Sequence, residues 1–390
     1  MGEWAQPYDP VGLFYVSMLA AALPLVLLLS LIVALRVKSY IGGAVTLAVT
    51  CAEALLIWRM PGAKVAGSAI LGAVFALFPV AYIVVGSLFL YNLAVETGRF
   101  AEIRCSLEVL SRDRRIQALL VGYCFPAFLD STTGFLTPVT IAASILAGLG
   151  FPPIEAARLG LLGASMPSAF GAMGLSIIVL SQVSGIPMNP ISIMSGRQMP
   201  FLSVAMPFVL LAGMGGMTVR GLVGVLPHAL ATGGVYALVL FVFSNYVSHY
   251  SAALAASAFG LLALVAAVRI RPPRDRFEFA QVTTAMDEPR VQTSPRRSLD
   301  AWAPFILLTV IVLVWTIPQV QLMLDTVTLA IPVPGLHGLV LRTPPAAPST
   351  TPIAAVLTLN WLSAAGTGIL LAAASSVIVL QVPLGTAAIV

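Results

Sequence analysis

The chain has 390 residues, 59% of them hydrophobic and 9% charged, with 20 basic against 15 acidic side chains. That leaves too little polar surface to coat a water-soluble globule of this size, so the composition points to lipid. The basic excess reads as a signal of membrane topology, and nothing in its placement suits nucleic acid.

The opening MGEWAQPYDP carries Glu3 and Asp9 but no Lys or Arg, unlike the basic start of a cleaved signal peptide, so it is expected to stay in the mature protein. Spans are predicted near 11–35, 40–58, 65–92, 154–181, 198–218, 221–244, 250–268, 301–318 and 353–380. The uncharged runs 11–35 and 65–91 each exceed the roughly 20 apolar residues that a crossing helix needs. Between the third and fourth spans, Phe100, Ile103, Leu107 and Leu110 recur at helical spacing among charges, which predicts an amphipathic helix lying in the interface over 93–115. Cys51, Cys105 and Cys124 lack metal or disulfide spacing and read as small buried hydrophobes.

Residues 116–150 decide the topology. Around the polar stretch DSTTGFLT, the charge-free runs before Asp130 and from Pro138 onward hold 14 and 13 residues, each too short to cross. The segment is either one broken span or a re-entrant hairpin. With the N-terminus outside and a hairpin entering from the cytoplasm, 16 of the 20 basic residues lie inside, including the seven arginines of 269–297. A single crossing leaves nine inside and exports that linker. The positive-inside rule favours the hairpin, with Arg112 and Arg158 flanking it on one side. Irregular backbone at such depth needs protein or a water-filled cavity around it.

Thr137 and Pro138 read as an N-cap and first helical position. A half-helix beginning there points free N–H groups and a positive dipole end at membrane depth, where they favour an anion. Secondary transporters build sites from such broken helices. A second interruption falls in GASMPSAFGAMG, 163–174, and is either a broken helix facing the same cavity or a kinked, closely packed one. Ser165, Gly171 and Gly174 of this stretch join the candidate binding residues. Asp130 is a functional candidate by default, because a carboxylate within a membrane is costly; a proton carrier and a capping residue are the two roles open to it. Ser131, Thr132, Thr133 and Thr137 can bond a small carboxylate, coordinate Na⁺, or satisfy the turn's own backbone. Glu53 is expected to snorkel or to pair with Arg59, and His228, His249 and His337 to lie at interfaces. No catalytic Asp pair, Ser–His pair or metal-spaced His cluster appears at matching depth, so no enzyme activity, metal or cofactor is expected.

The motifs WAQPYDP, ETGRF (96–100), GYCFPAFLD (122–130), ILAGLGF (145–151), AFGAMG (169–174), GRQMPF (196–201), AWAPF (301–305), IPVPGL (331–336) and NWLSAAGTGIL (360–370) run in order along the chain. By this series the chain resembles the L-lactate permeases. The resemblance implies an all-α polytopic membrane protein with a re-entrant hairpin and broken helices, the first part of an inverted-repeat secondary transporter. It implies import of L-lactate or a related 2-hydroxy acid such as glycolate with protons across the bacterial inner membrane; the charge count puts the N-terminus on the periplasmic side, and Na⁺ stays open as the other coupling ion. In that reading the amides of Gly134–Val139, including Pro138's turn, hold the carboxylate, Ser131–Thr133 touch the substrate, and Asp130 carries the proton. The expected organisation is three transmembrane helices over 1–92, the interfacial helix over 93–115, the hairpin over 116–150, and a broken helix with an outer loop over 151–197. Three more helices fill 198–268, a solvated cytoplasmic linker 269–300, and the start of a second half 301–390 with an outer loop over 319–352. Two departures stand out. The family hairpin EGAAGFGAPV is DSTTGFLTPV here, and the family continues into a second hairpin beyond the point where this chain stops, so a fragment or a truncated, non-transporting remnant is the alternative expectation.

Overall fold

The computed structural model describes residues 2–382 except 112, 133–136, 167, 274, 276, 280–294 and 345–348. Strand β1 (Trp4–Ala5) precedes α1 (Phe14–Leu29), which runs on through a π turn, and then α2 (Ser39–Leu56), α3 (Gly62–Phe75), α4 (Tyr82–Glu96) and α5 (Arg99–Leu110). Next come α6 (Arg114–Leu119), a π turn at Leu120–Cys124, α7 (Phe125–Thr132), α8 (Thr137–Gly148), α9 (Pro153–Ala164) and α10 (Gly171–Ser184). They are followed by α11 (Met188–Ala212), α12 (Val219–Val242), α13 (Ala252–Ile270), α14 (Pro295–Trp315) and α15 (Pro318–Leu324). Strands β2 (Leu329–Pro332), β3 (Val340–Arg342), β4 (Thr351–Pro352) and β5 (Val356–Leu359) lead to α16 (Ala365–Val379). Apart from these short strands, the regular structure among the described residues is helical. Among the described residues five helices are long and apolar enough to cross a membrane, and α14 with the helix after it, bent by 79°, is a broken span or a re-entrant loop.

The chain divides into two compact units. The first comprises Met1–Phe78 with Thr328–Leu359. Its helices α1–α3 leave large apolar side chains such as Leu19, Leu25, Val33, Leu47 and Ile70 exposed, as helices facing hydrocarbon do. Its strands form two small sheets, β1–β3–β4 and β2–β5, the latter antiparallel with Leu329 opposite Leu359. Lys64, 2% exposed, fastens this region by donating from Nζ to the Leu339 carbonyl at 2.9 Å. Glu53 is buried, its Oε1 without a hydrogen-bond partner among the described residues, and the pairs Arg115–Asp113 and Arg158–Glu155 found among them do not include the expected Glu53–Arg59 pair. The turn closing α2 instead satisfies itself through backbone, with the Ile57 and Trp58 N–H groups both donating to the Glu53 carbonyl.

The second unit comprises Pro79–Val327 with Asn360–Val390. At its centre runs the arm α6–π turn–α7, in which every residue from Asp113 to Leu129 is buried. Beyond its polar base the arm is largely apolar on all faces and must be enclosed by protein, and α8, α9, α10 and α13 enclose it. The approach of α9 is close enough that a Cβ on Gly163 would stand 2.0 Å from the Gly122 carbonyl oxygen. Backbone touches backbone there, as small residues permit at membrane helix contacts.

Several expectations need correction. The stretch 65–92 is not one straight helix: Phe78, with φ −137° and ψ 119°, breaks it, because the residue before Pro79 is driven out of the α region. The apolar face of the expected interfacial helix packs on protein. Ile103 and Leu107 are buried, Trp302 Nε1 donates to Ser106 at 3.1 Å, and Arg99 donates to the Asp300 carbonyl at 2.7 Å. Helix α11 starts at Met188, so Arg197 lies within it and does not head it. The expected span 353–380 begins as strand, and its helix has 15 residues. The start of the linker is packed as well, with the Phe279 ring 5.2 Å from that of Phe151.

Candidate functional site

The base of the hairpin is built from three charged residues. Asp113 caps α6 by accepting from the Arg115 N–H at 2.9 Å, and its carboxylate pairs with the Arg115 guanidinium, Nη2 to Oδ2 at 2.6 Å and Nε to Oδ1 at 3.0 Å. Arg115 spends its remaining donors on the carbonyls of Gly221, at 2.7 Å, and Asp275. A buried pair survives only when hydrogen-bonded in this way. Arg114 donates to Gln117 at 2.9 Å and to the Leu149 carbonyl, and its guanidinium carbon lies 5.6 Å from the Phe151 ring centroid. The far end of α8 is thereby tied to the start of α6. The two arms form a helical hairpin with a closed base.

At its other end stand Asp130, Ser131 and Thr132. Ser131 Oγ donates to the Phe128 carbonyl at 2.6 Å and Thr132 Oγ1 to that of Leu129 at 2.8 Å. These hydroxyls satisfy their own helix and keep only lone pairs to offer a ligand. Ser87 Oγ reaches the Thr132 carbonyl at 2.7 Å and so anchors the end of α7 to α4. Thr133, Gly134, Phe135 and Leu136 lie outside the described residues, as does the side chain of Thr137. Pro138 is buried in the first turn of α8.

The second interruption separates α9 from α10, with Pro167 outside the described residues. Ser165 is exposed and donates to the Leu162 carbonyl at 2.7 Å. The first turn of α10 is left-handed: Ala172, Met173 and Gly174 have φ of 44°, 59° and 73°. The Gly174 N–H closes this turn on the Phe170 carbonyl at 3.1 Å. For each non-glycine residue this conformation costs about 1–2 kcal/mol, and burial of Phe170, Ala172 and Met173 holds it in place.

Both interruptions meet at this turn. A Cβ on Gly171 would stand 2.6 Å from Asp130 Oδ2, and one on Gly174 would stand 2.9 Å from the His249 carbonyl oxygen. His249 is 7% exposed, its ring centroid lies 4.0 Å from that of Tyr250, and its Nε2 has no hydrogen-bond partner among the described residues. The expectation of interfacial histidines is therefore corrected for two of the three. His249 is enclosed beside the broken helix, and His228 is buried with Nε2 2.7 Å from the Arg271 carbonyl. No sequence signal marked this, because proximity to a span end does not say which way a ring is turned.

A carboxylate, an imidazole and the end of a helical hairpin thus collect at one left-handed turn within otherwise apolar helices. Fold and site together define a multi-pass α-helical membrane protein whose polar groups gather where helices break. The chain belongs to the L-lactate permease family, whose model matches residues 17–390. It is 37% identical to the L-lactate permease of Escherichia coli (strain K12) over 390 residues, which cover 98% of this chain and 70% of that protein. The "Glycolate permease GlcA" of the same strain is 35% identical over 98% of this chain and 71% of the relative. The L-lactate permease of Bacillus subtilis (strain 168) is 35% identical over 96% and 70%. No solved structure matches.

Proposed function

We propose that the chain is a secondary carrier that brings L-lactate, or a related 2-hydroxy monocarboxylate such as glycolate, across the bacterial inner membrane together with protons. The observation that carries this reading is the meeting of Asp130 with Gly171, which lodges a carboxylate against the break of a second helix. Intramembrane carboxylates beside broken helices are the usual material of proton-coupled sites. The names of the relatives add the substrate class, since L-lactate and glycolate both carry a carboxylate next to a hydroxyl.

In this reading the N-terminus lies outside and the hairpin enters the membrane from the cytoplasm, which leaves 16 of 20 basic residues inside. The free amides at the start of α8 hold the substrate carboxylate, helped by the helix dipole. The hydroxyls of Ser131 and Thr132 offer the substrate their lone pairs, with Thr133 and Thr137 joining them in this proposal, Gly171 and Gly174 let the broken helix come close, and Ser165 lies on the segment between α9 and α10. Asp130 takes up and releases the coupling proton. The substrate crosses unchanged, so the role is transport and not catalysis.

Purified protein in liposomes, given labelled L-lactate, is expected to accumulate it when the outside is made acidic and to stop when a protonophore is added. Asp130→Asn is expected to abolish accumulation driven by the gradient. Accumulation driven by Na⁺ alone overturns the proton, and no uptake under any gradient overturns transport in favour of the non-transporting alternative.

A further inference from the structure

We propose that His249 reads the 2-hydroxyl of the substrate and so separates 2-hydroxy acids from plain monocarboxylates; the inference rests on the transport reading above. Leaving a buried polar atom without a partner costs about 1–3 kcal/mol, and Nε2 of His249 is such an atom. Native interiors seldom keep an orphan of this kind without a use for it.

Its position gives the use. The ring edge that carries Cδ2, the atom bonded to Nε2, faces Gly174, with Cδ2 3.3 Å from where a Cβ would stand. Three residues earlier on the same left-handed turn, Gly171 abuts the Asp130 carboxylate. The imidazole and the carboxylate therefore stand at the two ends of one turn of backbone.

The chemistry selects the hydroxyl. A neutral imidazole nitrogen is a donor or an acceptor according to its tautomer, and a hydroxyl complements either, whereas a methylene complements neither. A site that hydrogen-bonds a substrate hydroxyl rejects the analogue lacking it, because the protein's own polar atom is then left unpaired. The Asp130 carboxylate cannot welcome a second carboxylate beside it while ionised, so the acid group of the substrate belongs at the α8 amides and its hydroxyl end at His249.

The test compares pairs that differ only in the hydroxyl: L-lactate with propionate, and glycolate with acetate, each competing against labelled L-lactate in liposomes. The wild-type protein is expected to prefer the hydroxy acid in both pairs. His249→Phe, which keeps a flat ring against Tyr250, is expected to cut that preference about tenfold, the worth of one hydrogen bond. His249→Gln, which keeps an N–H donor, is expected to restore part of it. Wild-type preference in His249→Phe overturns the proposal, and so does a wild-type protein that takes lactate and propionate equally; both leave the transport reading intact. Should the Phe variant not fold, the wild-type chain decides. It has three histidines, so the ¹⁵N signals of the labelled rings can be assigned singly. The His249 signal is expected to move with saturating L-lactate and to stay with propionate. A signal unmoved by L-lactate overturns the proposal, whereas absence of lactate uptake under every gradient sinks the transport reading instead.

Discussion

Asp130 and Gly171 face each other so closely that Oδ2 of the first stands 2.6 Å from the point a Cβ of the second would occupy. Gly171→Ala should push the carboxylate aside. Overpacking of this kind costs about 1–3 kcal/mol, a fall of several degrees in melting temperature, while lactate uptake is expected to drop at least about tenfold because a misplaced reactive group costs more than the strain itself. Melting curves and initial uptake rates on the same preparation check both halves.

Gly163→Ala is a harsher change. Its Cβ would meet the Gly122 carbonyl oxygen at 2.0 Å and the Pro126 ring at 2.6 Å, and backbone on the opposite side cannot rotate away. The variant is expected to lose the single symmetric peak in detergent size-exclusion chromatography, whereas Gly234→Ala, with open space at its Cβ, is expected to keep it.

Arg115→Met should leave the Asp113 carboxylate buried and unpaired at the hairpin base. Breaking one side of such a pair typically costs about 3–5 kcal/mol, and removing both sides costs less. The double variant Asp113→Asn/Arg115→Met is therefore expected to melt above the single one. A double-mutant cycle by thermal denaturation reads the coupling.

The closed base also predicts accessibility. Single cysteines replacing Ser111 and Ile154, in a chain whose own three cysteines have been replaced, are expected to react with an impermeant maleimide from the same face of the membrane. Labelling from opposite faces would turn the hairpin into a crossing and overturn the anion site proposed for its tip.

Sequence reached much of this because charge and run length are one-dimensional. The start of α8 at Thr137 and Pro138 followed from cap and proline preferences, and the break near Gly171 from its cluster of helix breakers. What escaped it depends on packing. Ala172 and Met173 are ordinary helix formers, so nothing in their identity announces left-handed backbone. His249 sits close to a span end in the sequence, yet the Gly174 turn encloses it. Ile103 and Leu107 show the periodicity expected of a lipid-facing stripe, and the same periodicity serves equally for packing on protein.

The returning arm α8 is short. Its 12 residues rise only about 18 Å, and its far end is pinned to Arg114. In the proposed topology, with that base at the inner lipid surface, α8 by itself reaches a little beyond the middle of a hydrocarbon layer of about 30 Å. A 2-hydroxy acid held at the start of α8, as proposed, would then have roughly 12 Å of hydrocarbon depth left between it and the periplasmic surface.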